Sequence, residues 1–328
     1  MTIDTVLERK LIHKAQLALA FWGIQDNPVL LKYRENAVFR VRLPDGKPAA
    51  LRLHRPNYQS EEALKAELDF SAYLAANGMA VPQPIAARDG SLCVASETEA
   101  GGDIQYASLI SWMDGRPLGR TGIALDLSRE HSVATFGRLG RLFAQLHDLA
   151  DSYALPAGFN RPHWDVAGLV GDAPLWGRFW DCAGLSDAQA GRLTDLRRTL
   201  TERVAEANFG SLDYGLIHAD GVRENIMMTD QSVGLIDFDD FGFGFRLFDL
   251  ATALYKNRDE PHYVDLEAAL LESYGRTRGL PADVAGTLGL FTVLRSLTYI
   301  GWAATRPEVS AKVPRYADDA LSLADRLF

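Results

Sequence analysis

The sequence predicts an α+β protein with a small N-terminal lobe built on an antiparallel sheet and a larger, mostly helical C-terminal lobe. Three observations carry this expectation. The 328 residues exceed what one hydrophobic core usually supports. Short segments of alternating or apolar character cluster between about residues 28 and 112. From residue 118 onward, apolar residues recur mostly at helical spacing. The 47% hydrophobic and 23% charged content is that of an ordinary globular chain with enough apolar material for a sizeable core.

The elements follow in order. Residues 7–22 place Leu7, Leu11, Ala15, Ala18 and Phe21 at helical spacing, and Gly23 and Pro28 end this entry helix. The runs 29–31, 37–43 and 49–53 read as three antiparallel strands, the last two joined by the turn Pro44-Asp45-Gly46. Ser60-Glu61-Glu62 opens a helix with a stripe through Leu64, Leu68, Tyr73 and Leu74, stopped at Gly78. Two further strands are expected over 91–96 and 106–112, before the turn Met113-Asp114-Gly115-Arg116-Pro117. These boundaries give an N-terminal lobe over 1–112 and a C-terminal lobe over 113–328. A long helix is expected over 133–149, and the helical pattern is broken at 216–238, where two apolar runs flank a polar loop.

That interruption holds the chemistry. His218, Asp220 and Asn225 follow the apolar run that ends at Ile217, and Asp237 follows Val233-Gly234-Leu235-Ile236. Strands that enter a core leave such polar groups at its rim, where desolvation strengthens their electrostatics. Phosphoryl transfer needs a carboxylate to orient a hydroxyl and accept its proton, and oxygen ligands for Mg²⁺ on the nucleotide phosphates. Asp220, Asn225 and Asp237 supply these types in that order.

With His218-x-Asp220-x-x-x-x-Asn225 and the apolar-Asp237-Phe238 step, the chain resembles the aminoglycoside phosphotransferase and choline kinase superfamily, most closely its bacterial homoserine-kinase-like phosphotransferases. The resemblance implies a bilobal protein-kinase-like fold. It implies Asp220 as catalytic base, Asn225 and Asp237 as magnesium ligands, and Asp249 of Phe248-Asp249-Leu250-Ala251 as an anchor of the catalytic loop. It also runs backwards. Residues 34–41, with Asn36, resemble the nucleotide-covering hairpin, and Arg52 resembles the phosphate-binding cation of the third strand. Glu67 stands where the helix glutamate pairs with that cation, and the backbone of Trp112 and Met113 where adenine is bound. The implied activity is transfer of the γ-phosphoryl group of ATP, or GTP, with Mg²⁺ to a hydroxyl of a small molecule such as homoserine, choline, ethanolamine or an aminoglycoside. The alternatives are a Ser/Thr protein kinase of the same fold and a nucleotide-binding regulatory module without turnover.

Three departures from the pattern stand out. Arg52 replaces the usual lysine, and its planar fork is not equivalent to a point charge. The hairpin has no G-x-G-x-x-G, and Asp239 occupies the place of a glycine, either assisting a second metal or facing water. His218 is expected to brace the loop. Arg223 is read as neutralising the transferring phosphoryl group or as forming a surface salt bridge. Trp164, Trp176, Phe179 and Trp180 are core residues or the lining of a cation pocket.

Charge excludes a dedicated nucleic-acid binder, because the net is −9. Residues 1–60 carry ten Lys/Arg against five Asp/Glu, a local +5 that leaves −14 elsewhere, and this acidic remainder favours an amine-bearing substrate. Cys93 and Cys182 are too few for a disulfide framework or a zinc site. No signal peptide and no long uncharged apolar run appears, so a cytoplasmic protein without membrane attachment is expected. Oligomeric state is not encoded in any of these patterns.

Overall fold

The computed structural model describes residues 4–33, 36–97, 104–206 and 212–327. The chain divides into two compact units, one comprising Met1–Gly115 and Tyr153–Asn160, the other Arg116–Ser152 and Arg161–Phe328.

In the first unit, α1 (Thr5–Leu19) begins at Asp4, whose carboxylate accepts from the Val6 amide. Five strands, β1 (Val29–Tyr33), β2 (Ala37–Arg42), β3 (Pro48–Leu53), β4 (Cys93–Glu97) and β5 (Ile104–Ser111), form one antiparallel sheet in the order β1-β2-β3-β5-β4. Strict alternation along β2 turns Ala37, Phe39 and Val41 inward, where they meet Leu11, Ala15 and Ala18 of α1 and Leu51, Leu53 and Leu109 of the sheet. Each fully buried Leu, Val or Phe side chain among them contributes about 1.5–3 kcal/mol. Helix α2 (Glu61–Ala76), capped by the Ser60 hydroxyl, sets Leu64 and Leu68 against Cys93. The expected stripe position Tyr73 is only half-buried; Phe70 is the enclosed aromatic, edge-on to Tyr153 at 5.0 Å. Of the expected nucleotide hairpin, Arg34 and Glu35 lie outside the described residues.

The second unit is helical around two three-stranded sheets. Its helices are α3 (Arg129–Ser152), α4 (Val166–Val170), α5 (Asp187–Glu206), α6 (Arg246–Tyr255), α7 (Tyr263–Gly275), α8 (Val284–Ala304) and α9 (Val313–Leu327). One sheet joins β10 (Val233–Leu235), β9 (Ile226–Met228) and β6 (Arg116–Pro117) in that order. The other joins β7 (His163–Trp164), β11 (Gly242–Phe245) and β8 (Tyr214–Ile217), with β11 in the middle. Strands β7 and β11 lay outside the sequence expectation. For β11 the reason is local: the two glycines of Gly242-Phe243-Gly244-Phe245 lower its β propensity, yet packing calls for them. A Cβ at Gly242 would stand 2.3 Å from the Pro162 carbonyl oxygen, and one at Gly244 the same distance from the Ile217 side chain. Helix α8 is long and apolar enough to cross a membrane by length and composition, although Arg295 lies within it; most of it is buried inside the second unit. Of the two cysteines, Cys93 is buried and Cys182 half-buried, and both are free thiols.

Candidate active site

The polar loop between β8 and β9 is suspended from one buried carboxylate. Asp249, in the first turn of α6 and fully enclosed, accepts from the His218 amide (2.9 Å), the Ala219 amide (2.7 Å) and His147 Nε2 of α3 (3.1 Å). Tyr274 OH of α7 lies 2.9 Å from His147 Nδ1 and extends the chain of bonds. Burial alone would raise the Asp249 pKa; the hydrogen bond and charge of His147, with help from His218, hold it below the ordinary carboxylate range. Burial pushes His147 the other way, toward the neutral imidazole. The tether serves a loop with an uncommon backbone, since Ala219 has φ +64° and Asp237 φ +69°, both in the left-handed region that non-glycine residues seldom adopt.

His218 is enclosed as well. Its Nε2 lies 3.1 Å from the Ile236 carbonyl oxygen, and its Nδ1 accepts from the Asp220 amide at 3.2 Å. Those partners fix the Nε2–H tautomer, and burial lowers the pKa further, so the ring is neutral and both nitrogens are engaged. It ties the Asp220 loop to the Asp237 loop.

Asp220 keeps 27% of its side chain exposed and is gripped on both oxygens. Arg295 Nη2, from the middle of α8, donates to Oδ1 at 2.7 Å, and Asn225 Nδ2 donates to Oδ2 at 2.8 Å. Asn225 Nδ2 also reaches the Asp220 carbonyl oxygen at 3.0 Å, which orients the amide. Arg295 is itself buried and shares Nη2 with Tyr299 OH at 3.2 Å. The loop after Asp237 is held through its backbone by Arg161, whose guanidinium donates to the carbonyl oxygens of Asp239 and Phe241 and lies over the Phe241 ring. Trp164 Nε1 donates to the Asp240 carbonyl oxygen at 2.9 Å. Asp240 retains some exposure as a residue, but its carboxyl is desolvated. That desolvation, then the charges of Asp220, Asp239 and Asp237, raise its pKa well above the usual range against the pull of Arg295. Four carboxylates therefore share one electrostatic neighbourhood.

Arg223 corrects the sequence reading. It is no surface residue: 2% exposed, it donates to Asn257 Oδ1 (2.8 Å), the Ile123 carbonyl oxygen (2.6 Å) and Glu260 (2.5 Å), locking the loop to the residues after α6. The aromatic quartet divides. Trp164, stacked on Phe248 at 5.5 Å, and Phe179 are core, whereas half-buried Trp176 and Trp180 lie beneath the chain's own Arg306 and Arg197.

In the first unit, Arg52 Nη1 donates to Glu67 Oε1 at 2.6 Å in a buried pair that joins β3 to α2. Asn36 Oδ1 accepts from the Arg55 amide at 3.2 Å, pinning the start of β2 to the end of β3. Trp112 and Met113 follow β5 and are half-buried, with Arg40 5.2 Å above the Trp112 ring.

Arg295, His147 and Asp240 were not singled out from the sequence. A signal existed for the first, an arginine inside an otherwise apolar helical stretch, since a buried charge requires a partner. His147 gave a weaker one, on the inward face of α3 next to Leu146. Asp240 gave none that separated it from its acidic neighbours.

The fold is that of a phosphotransferase. Residues 30–282 match the family model described as "Phosphotransferase enzyme family", and the chain belongs to that family. It is similar to a homoserine kinase from Acidiphilium cryptum, 30% identical over 66% of this chain and 61% of that one. Among solved structures it is similar to a microcompartment-associated aminopropanol kinase, 28% identical, TM-score 0.81, covering 98% of this chain and 97% of the other. The fold is shared with an amicoumacin kinase solved with AMP-PNP and Ca²⁺, 19% identical, TM-score 0.75, with 96% and 93% of the chains covered. The chain therefore has the bilobal α+β protein-kinase-like fold and is a kinase-type enzyme that acts on hydroxyl groups.

Proposed function

We propose that this enzyme uses ATP and Mg²⁺ to phosphorylate a hydroxyl of a small, amine-bearing molecule in the cytoplasm, with Asp220 as the base. The observation that carries the reading is the Asp220 carboxylate, partly exposed yet fixed on both oxygens by Arg295 and Asn225. A carboxylate so positioned is preorganised to orient an attacking hydroxyl and take its proton. His218, neutral and bonded at both nitrogens, is not available for that task.

Among the described residues no group of three or more His, Cys, Asp or Glu forms a metal cage. Mg²⁺ is ordinarily held by one or two carboxylates supplemented by phosphates and water. Asn225 through Oδ1 and Asp237 would hold it, and the carboxylates around Asp240 supply negative charge that a divalent cation relieves. Bound there, Mg²⁺ neutralises charge developing on the nucleotide phosphates. In the first unit, Glu67 orients the Arg52 guanidinium for a phosphate contact. The relatives' names, homoserine kinase and aminopropanol kinase, support an amino alcohol as acceptor.

The test is ADP release from ATP–Mg²⁺ in the presence of homoserine, aminopropanol, choline, ethanolamine and aminoglycosides. Asp220→Asn should lower kcat by about 10²–10⁴-fold, while the rise in melting temperature on adding ATP–Mg²⁺ persists. Near-normal turnover in that variant would remove Asp220 from the role of base.

A further inference from the structure

Linked to Asp220 through Tyr299 and Arg295 is a cation that the mechanism leaves unused. Lys256, at the C-terminus of α6, holds its ammonium over three tyrosine rings, 4.2 Å from the centroid of Tyr255, 4.1 Å from Tyr299 and 5.2 Å from Tyr316. No carboxylate lies within ion-pair distance of Nζ among the described residues. Asp319, which acts on Lys256 electrostatically, is engaged by Arg258 at 3.1 Å and by Tyr255 OH at 2.6 Å. This box is joined directly to the catalytic loop: Tyr299 OH bonds Arg295, Arg295 bonds Asp220, and Asn257, the residue after Lys256, bonds Arg223.

An aromatic box of this kind ordinarily receives a ligand's ammonium group. Here the protein's own side chain fills it, which denies that place to a cationic acceptor and presents a positive charge instead. We propose that Lys256 is the acceptor-recognising residue of this enzyme, binding a carboxylate of the substrate whose hydroxyl is presented to Asp220. The inference rests on the kinase reading above and narrows it to hydroxy acids, such as hydroxy amino acids, over plain amino alcohols. Lys256 is half-buried as a residue. Its surroundings disfavour an uncompensated ammonium. Burial above all, then Arg295, Arg258 and Arg315, bring its pKa down to about 8 despite Asp319, and an incoming anion relieves that cost.

Homoserine and 3-amino-1-propanol make a matched pair of probes, the second being the first without its carboxylate. Calorimetric binding of each to the full-length protein should show homoserine bound about ten- to a hundredfold more tightly, as expected for one charge-assisted contact. Lys256→Met should collapse that ratio toward one, and Lys256→Arg should restore part of it. Equal affinities in the wild-type protein, no binding of homoserine, or a ratio that survives in Lys256→Met would each overturn the proposal. The kinase reading fails separately. ATP consumption with aminopropanol and no preference for homoserine would refute the role of Lys256 alone; a homoserine preference with no turnover of any hydroxyl would refute the kinase reading alone.

Discussion

Replacing Asp249 by asparagine keeps its shape and removes its charge, which isolates the contribution of the tether. Oδ2 serves both the His218 amide and His147, and Oδ1 serves the Ala219 amide. The less costly asparagine orientation keeps its oxygen toward the first two and turns its amino group on the Ala219 N–H, so that two donors face each other. A buried donor left without an acceptor costs about 1–3 kcal/mol, and each remaining bond, now to a neutral acceptor, weakens by about 1 kcal/mol. The sum, about 3–5 kcal/mol, is a large part of the stability of an ordinary domain. It corresponds to a fall in melting temperature on the order of 10 °C for a unit of this size. Activity should fall further than stability, because Ala219 holds a left-handed backbone next to Asp220 and its tether is the bond lost. Circular-dichroism melting alongside ADP release at a temperature where the variant is folded measures both. A variant melting within about 2 °C of wild type, or one whose turnover is unchanged, would refute the assignment of Asp249 as the support of this loop.

Three further outcomes follow from named contacts. His147 is buried with a lowered pKa, so below about pH 6.5 the unfolded chain binds a proton that the folded one refuses; stability should then fall by up to about 1.4 kcal/mol per pH unit. His147→Gln should make that limb shallower in denaturant titrations, leaving the part that His218, also buried with a lowered pKa, contributes, while the Asp249 contribution, from a depressed pKa, is lost only at more acidic pH. For the Arg52–Glu67 pair, Glu67→Ala should destabilise by about 3–5 kcal/mol because it takes a carboxylate away from a buried guanidinium, and the double variant Arg52→Met/Glu67→Met should recover much of this; a double variant no more stable than the single would argue against it. Arg295→Met should reduce kcat with smaller change in nucleotide affinity, since it removes the contact to Asp220 Oδ1; an unaltered kcat would show that Arg295 is not needed to position Asp220.

The parts of the site written in adjacent residues were readable from the sequence. His218, Asp220 and Asn225 lie on one short loop with Asp237 one hairpin further on, so their spacing constrains their geometry. The groups that orient them arrive from far along the chain: Arg295 is 75 residues from Asp220, and His147 is 102 from Asp249. No local pattern encodes such a pairing. Arg223 illustrates the opposite limit, because its place in the loop was evident while its burial depended on Asn257 and Glu260, which only the packing of the segment after α6 supplies. In the first unit, alternation located the sheet well because one face of β2 is core. In the second, β11 escaped notice because its glycines answer to neighbours rather than to strand propensity.

Arg295 has a second consequence, felt before the protein is folded. As α8 leaves the ribosome, Asp220 has already been made but nothing yet holds it against the helix. At that moment the segment offers the membrane-insertion machinery a span that is apolar and long enough to qualify. An arginine near the centre of such a span costs about 2.5–3.5 kcal/mol on insertion, where a leucine would favour it. The contact that orients Asp220 thus also gives a folded-state partner to the one charge in this helix whose presence disfavours lipid.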